Sequence, residues 1–265
     1  MKKILSVMLA VVLLGALCIT ASAEGVSAEV YVTVADGNGE LALAQEKITV
    51  TDIDGDGVLT LDEALFAAHE AKFEGGAAAG YATENTQWGI SLVKLWGVEN
   101  GGSYGYYLNN ASAMGLSAEI KDGDLVSAFV YTDLNTWSDM YCFFDNSLLT
   151  AAENTEITLT LKGAGFDENW NPITLPLADA VITVDGVATE VVTDAEGRAC
   201  ISFDKAGRYV VSAESESGVL VPPALVVTVK EEAPATGIGS VCGWTAVAVL
   251  CALGLVMTAK KHNEN

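Results

Sequence analysis

The sequence predicts a mainly β protein: a small β-rich α+β domain carrying one loop-and-helix insert, then a β-sandwich, then a C-terminal transmembrane helix. Three observations carry this reading. Short runs with period-two alternation, bounded by Gly, Asn and Asp, recur from Val30 to Val229. One stretch of good helix formers, Leu61 to Phe73, interrupts them. Near the end an uncharged apolar run, Ile238 to Ala259, is long enough to cross a hydrocarbon core of ~30 Å.

The first residues, 1–23, read as a secretion signal. Lys2 and Lys3 form the charged start, Ile4 to Ile19 the apolar run, and Ala21-Ser22-Ala23 a small-residue cleavage site. The first folded domain is expected over 24–150. Val30 to Val34 alternates as a strand, and Glu46 to Thr51 alternates on the way into an acidic loop at 52–63. In the helix that follows, Ala64, Leu65, Ala68 and Ala71 are expected to share one face. Ile90 to Leu95 and Tyr104 to Leu108 flank Glu99-Asn100-Gly101-Gly102, a hairpin signal, and Leu125 to Thr132 and Met140 to Phe144 flank a second turn. A second domain is expected over 155–230. Glu156 to Leu161 alternates, Ala180 to Val184 runs into the Asp185-Gly186 turn, and Glu190 to Thr193 leads to Asp194-Ala195-Glu196-Gly197. Arg198 to Phe203, Gly207 to Ala213 and Ala224 to Val229 complete a set whose near-regular spacing indicates a sandwich.

The acidic loop is Asp52-Ile53-Asp54-Gly55-Asp56-Gly57-Val58-Leu59-Thr60-Leu61-Asp62-Glu63. Asp52, Asp54 and Asp56 offer side-chain oxygens at positions one, three and five. Gly57 fills position six, where the chain turns sharply. Val58 offers its carbonyl at position seven, Thr60 an oxygen at position nine, and Glu63 both carboxylate oxygens at position twelve. This is the oxygen set that Ca²⁺, a hard cation, requires, so the loop is read as a calcium site of the EF-hand type. The run that enters it looks like a strand, where an ordinary EF-hand has a helix. Glu63 at position twelve and the absence of a second such loop argue against a dockerin.

Three further segments carry resemblances. Gly102-Ser103-Tyr104-Gly105-Tyr106-Tyr107-Leu108-Asn109-Asn110, with the later Lys121-Asp122-Gly123-Asp124 turn and Val130-Tyr131, resembles the transcobalamin-C-terminal-like family over about Trp88 to Phe144. That resemblance implies a small β-rich domain of a secreted or wall-attached bacterial protein. It also supplies a rival expectation, that the domain captures a corrinoid-like small molecule in an aromatic pocket near Tyr104 to Tyr107. Thr193 to Ala199 with Gly207-Arg208-Tyr209 resembles bacterial Ig-like and carboxypeptidase-regulatory-like surface modules, which implies an Ig-like sandwich. Ala233-Pro234-Ala235-Thr236-Gly237, in the linker 231–237, resembles a sortase sorting signal with Ala in place of the leading Leu. The apolar run at 238–259 and a basic tail at 260–265 follow it in the order such signals require. By that resemblance a sortase is a processing partner, cutting after Thr236. Otherwise the chain is held by its membrane helix, with Lys260 and Lys261 on the cytoplasmic side.

Composition narrows the classes. With 35 acidic and 13 basic residues the formal charge is -22, which disfavours nucleic acid and anionic lipid as partners. Cys142 and Cys200 sit in strand-like runs and are expected to be buried free thiols. His69-Glu70 begins like a zinc-protease helix motif, but no second His stands four residues on. His69 is therefore expected to be a helix-face residue, and catalysis is not expected; an extracellular hydrolase is the weakest reading. The leading expectation is a non-enzymatic, surface-anchored protein with structural calcium, acting in adhesion or binding to an extracellular partner.

Overall fold

Alternating apolar positions form strands where a second layer can cover one face, and the chain is built from such strands almost throughout. The computed structural model describes residues 26–231, which form one compact unit. The signal segment, the sorting-like motif, the expected spanning helix and the tail lie outside these residues. Among the described residues no helix is long and apolar enough to cross a membrane.

The first half begins with β1 (Ser27–Ala35) paired antiparallel to β2 (Leu41–Thr51). The acidic loop leads into α1 (Leu61–Lys72), followed by the short α2 (Gly76–Gly80). A separate hairpin, β3 (Ala82–Thr86) with β4 (Gly89–Lys94), comes next. β5 (Tyr104–Leu108), β6 (Ala111–Ser112) and β7 (Leu125–Val130) complete a sheet of order β2-β1-β7-β5-β6. Here β7 lies parallel to β1, so the connection between them must cross the sheet, and it carries α1. The alternation in β1 buries Val30, Val32 and Val34 completely, and α1 covers that face with Leu61, Ala64, Leu65 and Ala68. These four follow the i, i+3, i+4, i+7 spacing of one helical face. Ala71, expected on that face, is exposed at the last turn.

The second half contains β8 (Met140–Phe144), β9 (Leu148–Ala152), β10 (Ile157–Phe166), β11 (Pro172–Pro176), β12 (Val181–Val184), β13 (Val187–Val192), β14 (Arg198–Ile201), β15 (Gly207–Glu214), β16 (Leu220–Val221) and β17 (Leu225–Lys230). One sheet has the order β11-β10-β8-β16, with β14 paired to β10, and the other β13-β12-β15-β17-β9. Phe144, Leu159 and Leu161 from the first meet Ile182, Val211, Leu225 and Val227 from the second in one core. Two sheets sharing one apolar interior make a sandwich. The outer strand β11 carries Pro at both ends, which suits an edge that must not recruit another strand.

The hairpin expected across Glu99 to Gly102 is absent, and the strands flanking the second turn do not pair with each other. β4 pairs with β3 and not with β5, and β8 pairs with β10 and β16 and not with β7. The reason lies in the sheet: β7 has β1 on one edge and β5 on the other, so no edge is left for β8. Residues 140–150, read from sequence with the first domain, therefore pair within the sandwich. Cys142 and Cys200 are both free thiols. Burial pushes the Cys142 thiol well above its ordinary range. Cys200 stands exposed on β14, because Ala199 and Ile201 take the core-facing positions.

The halves meet through an aromatic seam. Tyr107 and Tyr141 stack with centroids 3.6 Å apart, against Phe129 and Val221. The sandwich also depends on one glycine. Gly197 has φ +74°, and a Cβ there would lie 2.4 Å from the Leu161 carbonyl oxygen. Gly186 has a similar φ, +77°, with nothing within 4 Å. Gly197→Ala should therefore cost about 3 kcal/mol, from left-handed strain plus overlap, against about 1 kcal/mol for Gly186→Ala. Thermal unfolding of the two variants checks the difference.

Candidate metal centre

The loop between β2 and α1 is shaped by its own carboxylates. Asp52 accepts N–H bonds from Gly55 (2.7 Å) and Gly57 (2.8 Å), Asp54 from Asp56 (3.1 Å), and Asp56 from Val58 (2.7 Å). Gly55 and Gly57 take φ +79° and +86°, conformations that L side chains seldom adopt. The Gly57 N–H foremost, with that of Gly55, holds the Asp52 carboxyl below the usual carboxylate range. The anionic form of Asp52 is thus favoured by the loop's own backbone.

Glu63 closes the arrangement from the helix. Its Oε2 accepts from the Thr60 N–H (2.9 Å) and the Thr60 hydroxyl (3.0 Å), while Thr60 Oγ1 accepts from the Glu63 N–H. This reciprocal pair is a capping box at the start of α1. The other oxygen, Oε1, accepts from the Ile53 N–H at 2.8 Å, back across the loop. Glu63 is only 4 % exposed, and none of the ion pairs among the described residues includes it.

One carboxylate oxygen each from Asp52, Asp54 and Glu63 lies within 4.8 Å of the others. The structure thus brings together positions one, three and twelve of the expected ligand set. Asp56 stays outside this group; one of its oxygens accepts from the Val58 N–H. Thr60 is committed to the cap, where it positions Glu63. Val58 is half-buried at the base of the loop. The converging donors are all hard oxygens, which fits a cation such as Ca²⁺ or Mg²⁺ and not a soft metal. A carboxylate has about four lone-pair sites. Glu63 uses three of them internally, so it retains capacity toward an ion.

The loop's partner was not foreseeable from sequence. Thr60 bridges to Glu119, Ile120 N–H donates to Leu59 O (2.9 Å), and the first N–H groups of α1, on Leu61 and Asp62, donate to Ala118 O and Leu116 O (both 2.9 Å). The segment 116–120 thus occupies the pairing edge of the loop and satisfies helix N–H groups that have no intrahelical partner. It lies more than fifty residues downstream and carries no motif of its own.

His69 plays no part in this centre. It is fully buried; its Nδ1 faces Leu65 O at 2.6 Å and must carry the proton, while Nε2 accepts the Trp96 N–H at 3.0 Å. Tyr81 and Trp96 pack around the ring. Both nitrogens are engaged, so the ring is a neutral core group. The tyrosines of the glycine-aromatic segment are likewise structural. Tyr104 donates to Val93 O and Val98 O, Tyr106 packs on the first core, and Tyr107 belongs to the seam. The cavity bordered by Phe129 and Tyr141 holds about 20 Å³, room for one water molecule.

Compared with known protein families and curated proteins, the chain matches none.

Burial holds the His69 ring below its ordinary pKa of 6.5. The folded state therefore binds this proton less readily than the unfolded state. The contribution is complete above pH 6.5 and is lost as pH falls through that value toward the folded pKa. Stability should begin to decline near pH 6.5, before most carboxylates titrate, and His69→Gln should flatten that segment of the curve. Denaturant unfolding from pH 7 to pH 5 checks it.

Proposed function

We propose that the protein is a calcium-stabilised, non-enzymatic surface protein whose ectodomain serves adhesion or extracellular binding. The observation that carries this reading is Glu63: a buried carboxylate without a cationic side-chain partner among the described residues, converging with Asp52 and Asp54 at the head of a helix. Burying charge without a counter-charge is costly, and a divalent cation supplies that charge. The hard-oxygen donor set and the glycine-shaped loop support calcium as the ion. The ion would tie the loop to α1, and α1 covers the core of the first half. Its role is structural on this reading, since the nearby imidazole is locked in packing.

The resemblances of the sequence complete the proposal. The first half is read as a transcobalamin-C-terminal-like domain and the second as an Ig-like module between that head and the wall. The tail, with Thr236 and Gly237, is read as a sortase-processed anchor.

Extracellular calcium modules bind with Kd of about 10⁻⁴ to 10⁻³ M. At about 10 mM calcium the native state should gain roughly 1.4 to 2.7 kcal/mol. Melting of the full chain in detergent, with calcium and with chelator, should differ accordingly. Glu63→Gln keeps an oxygen for the cap but loses the charge, so it should remove the difference. Identical curves for the unaltered chain would overturn the calcium reading. Anchoring has a separate test: wall-lytic digestion should release the chain, and detergent alone should not.

A further inference from the structure

A cleft of about 1260 Å³ lies between the two halves, at the end of β2 away from the ion loop. One wall is β2 itself. Leu41, Ala42, Leu43 and Ala44 all border the cleft. Successive strand residues point to opposite faces, so four in a row can border one space only if it runs along the strand's edge. Among the described residues that edge is unpaired, because β2 is the outermost strand of its sheet. Asp36 N–H donates to Glu40 O, the main-chain bond that flanks a non-hydrogen-bonded pair at the next position. Leu41, opposite Ala35 at the next position, therefore turns its own N–H and C=O outward. Further along, Ala44 O also points out, and Arg208 on the facing wall donates to it at 3.0 Å. Arg208 marks where the free edge ends.

The facing wall is polar. On β15, Val211 and Ala213 enter the sandwich core, so Ser212 faces the cleft, beside Thr183 of β12. Ser212 is 7 % exposed, and its Oγ finds no hydrogen-bond partner among the described residues. The charge is one-sided. Glu40, Asp185, Glu214 and Glu216 line the cleft, while its two cations, Lys72 and Arg208, are both paired to Glu46.

We propose that this cleft is a docking groove for an extended peptide bearing Lys or Arg side chains, which adds as a strand to the edge of β2 at Leu41–Ala44. Main-chain bonds to Leu41 supply the register, and the four carboxylates, outside every ion pair among the described residues, select basic side chains. The groove stands apart from the ion loop, so this inference does not rest on the calcium reading.

The test uses the full chain in detergent and three fluorescent peptides of about ten residues: alternating Lys-Thr, alternating Ser-Thr and alternating Glu-Thr. The Lys-Thr peptide should bind saturably, at least tenfold more tightly than the Ser-Thr peptide, and more weakly as salt rises. The Glu-Thr peptide should not bind. Hydrogen exchange should show new protection at the Leu41 amide. Leu41→Pro removes that outward N–H while sparing the bonds to β1, and it should abolish binding with the melt retained. The double variant Glu214→Lys, Glu216→Lys changes only exposed side chains and should weaken the Lys-Thr peptide at least tenfold. This variant keeps the test decisive if Leu41→Pro fails to fold. Four results would each overturn the proposal: no saturable binding, no preference among the peptides, protection confined to residues away from β2, or concentration-dependent self-association through β2 in the absence of peptide. Repeating the titration in chelator separates the two proposals, since peptide binding without calcium would stand even if the ion reading failed.

Discussion

The capping box between Thr60 and Glu63 is the contact on which the first half depends. It starts the helix, and through Glu63 Oε1 and the Ile53 N–H it also folds the acidic loop back onto that start. The helix it nucleates is short and would be marginal alone, so its stability comes from the face it buries on β1. A cap fixes where that face begins. Without it Leu61, Ala64, Leu65 and Ala68 would have no reason to stop in register with Val30, Val32 and Val34. The acidic residues that make the loop attractive to a cation, Asp62 aside, therefore sit where the helix dipole also favours negative charge.

Asp62, beside Glu63, shows how the same turn is braced from outside. It accepts a 2.6 Å bond from the Tyr81 hydroxyl, and burial together with the Asp62 charge raises the Tyr81 pKa far above its ordinary value. Tyr81 also packs on the His69 ring. The first and third turns of α1 are thus connected through one side chain that arrives just after α2. An ion at the loop and a neutral imidazole lower in the helix are two separate means of holding one element. On the proposed reading the first would depend on a divalent cation, and the second depends on pH.

What could be read from the sequence was local. The acidic loop, the strand entering it and the helix leaving it are contiguous, and each position has a chemical reason within twelve residues. The sandwich strands were legible because alternation and Asp-Gly turns are local too. Pairing partners were not. Nothing within residues 116–120 announces that their carbonyls meet the first N–H groups of α1. Nothing in Tyr141-Cys142-Phe143 announces that they leave the sheet preceding them. The turn residues at Asp133 to Ser138 suggested a hairpin, since Asp133 does fold back on Asn135, Thr136 and Ser138. The parallel return of β7 beside β1, a long-range event, had already taken the edge that hairpin required. In the metal centre, the ligand pattern was legible, but which carboxylates converge, Asp52, Asp54 and Glu63 without Asp56, depends on backbone geometry that a motif does not encode.

The crossing of β8 into the sandwich has a mechanical consequence. The halves are not two beads on a flexible tether, because the strand that follows the first sheet is a central member of the next one. The Tyr107–Tyr141 stack closes the seam on one side, Gln45 reaches Ala224 O across it, and Arg208 holds both Ala44 O and Glu46. Of these contacts Arg208, Ala44 and Glu46 border the cleft, and together with the seam they fix its two walls relative to each other before anything enters. A groove held this way avoids much of the ordering cost that weakens binding to mobile surfaces. It also explains why a bulge at Ala44 and Gln45, where Gln45 adopts φ +51°, is worth its local strain: it turns one carbonyl of β2 toward Arg208 and ends the open edge there.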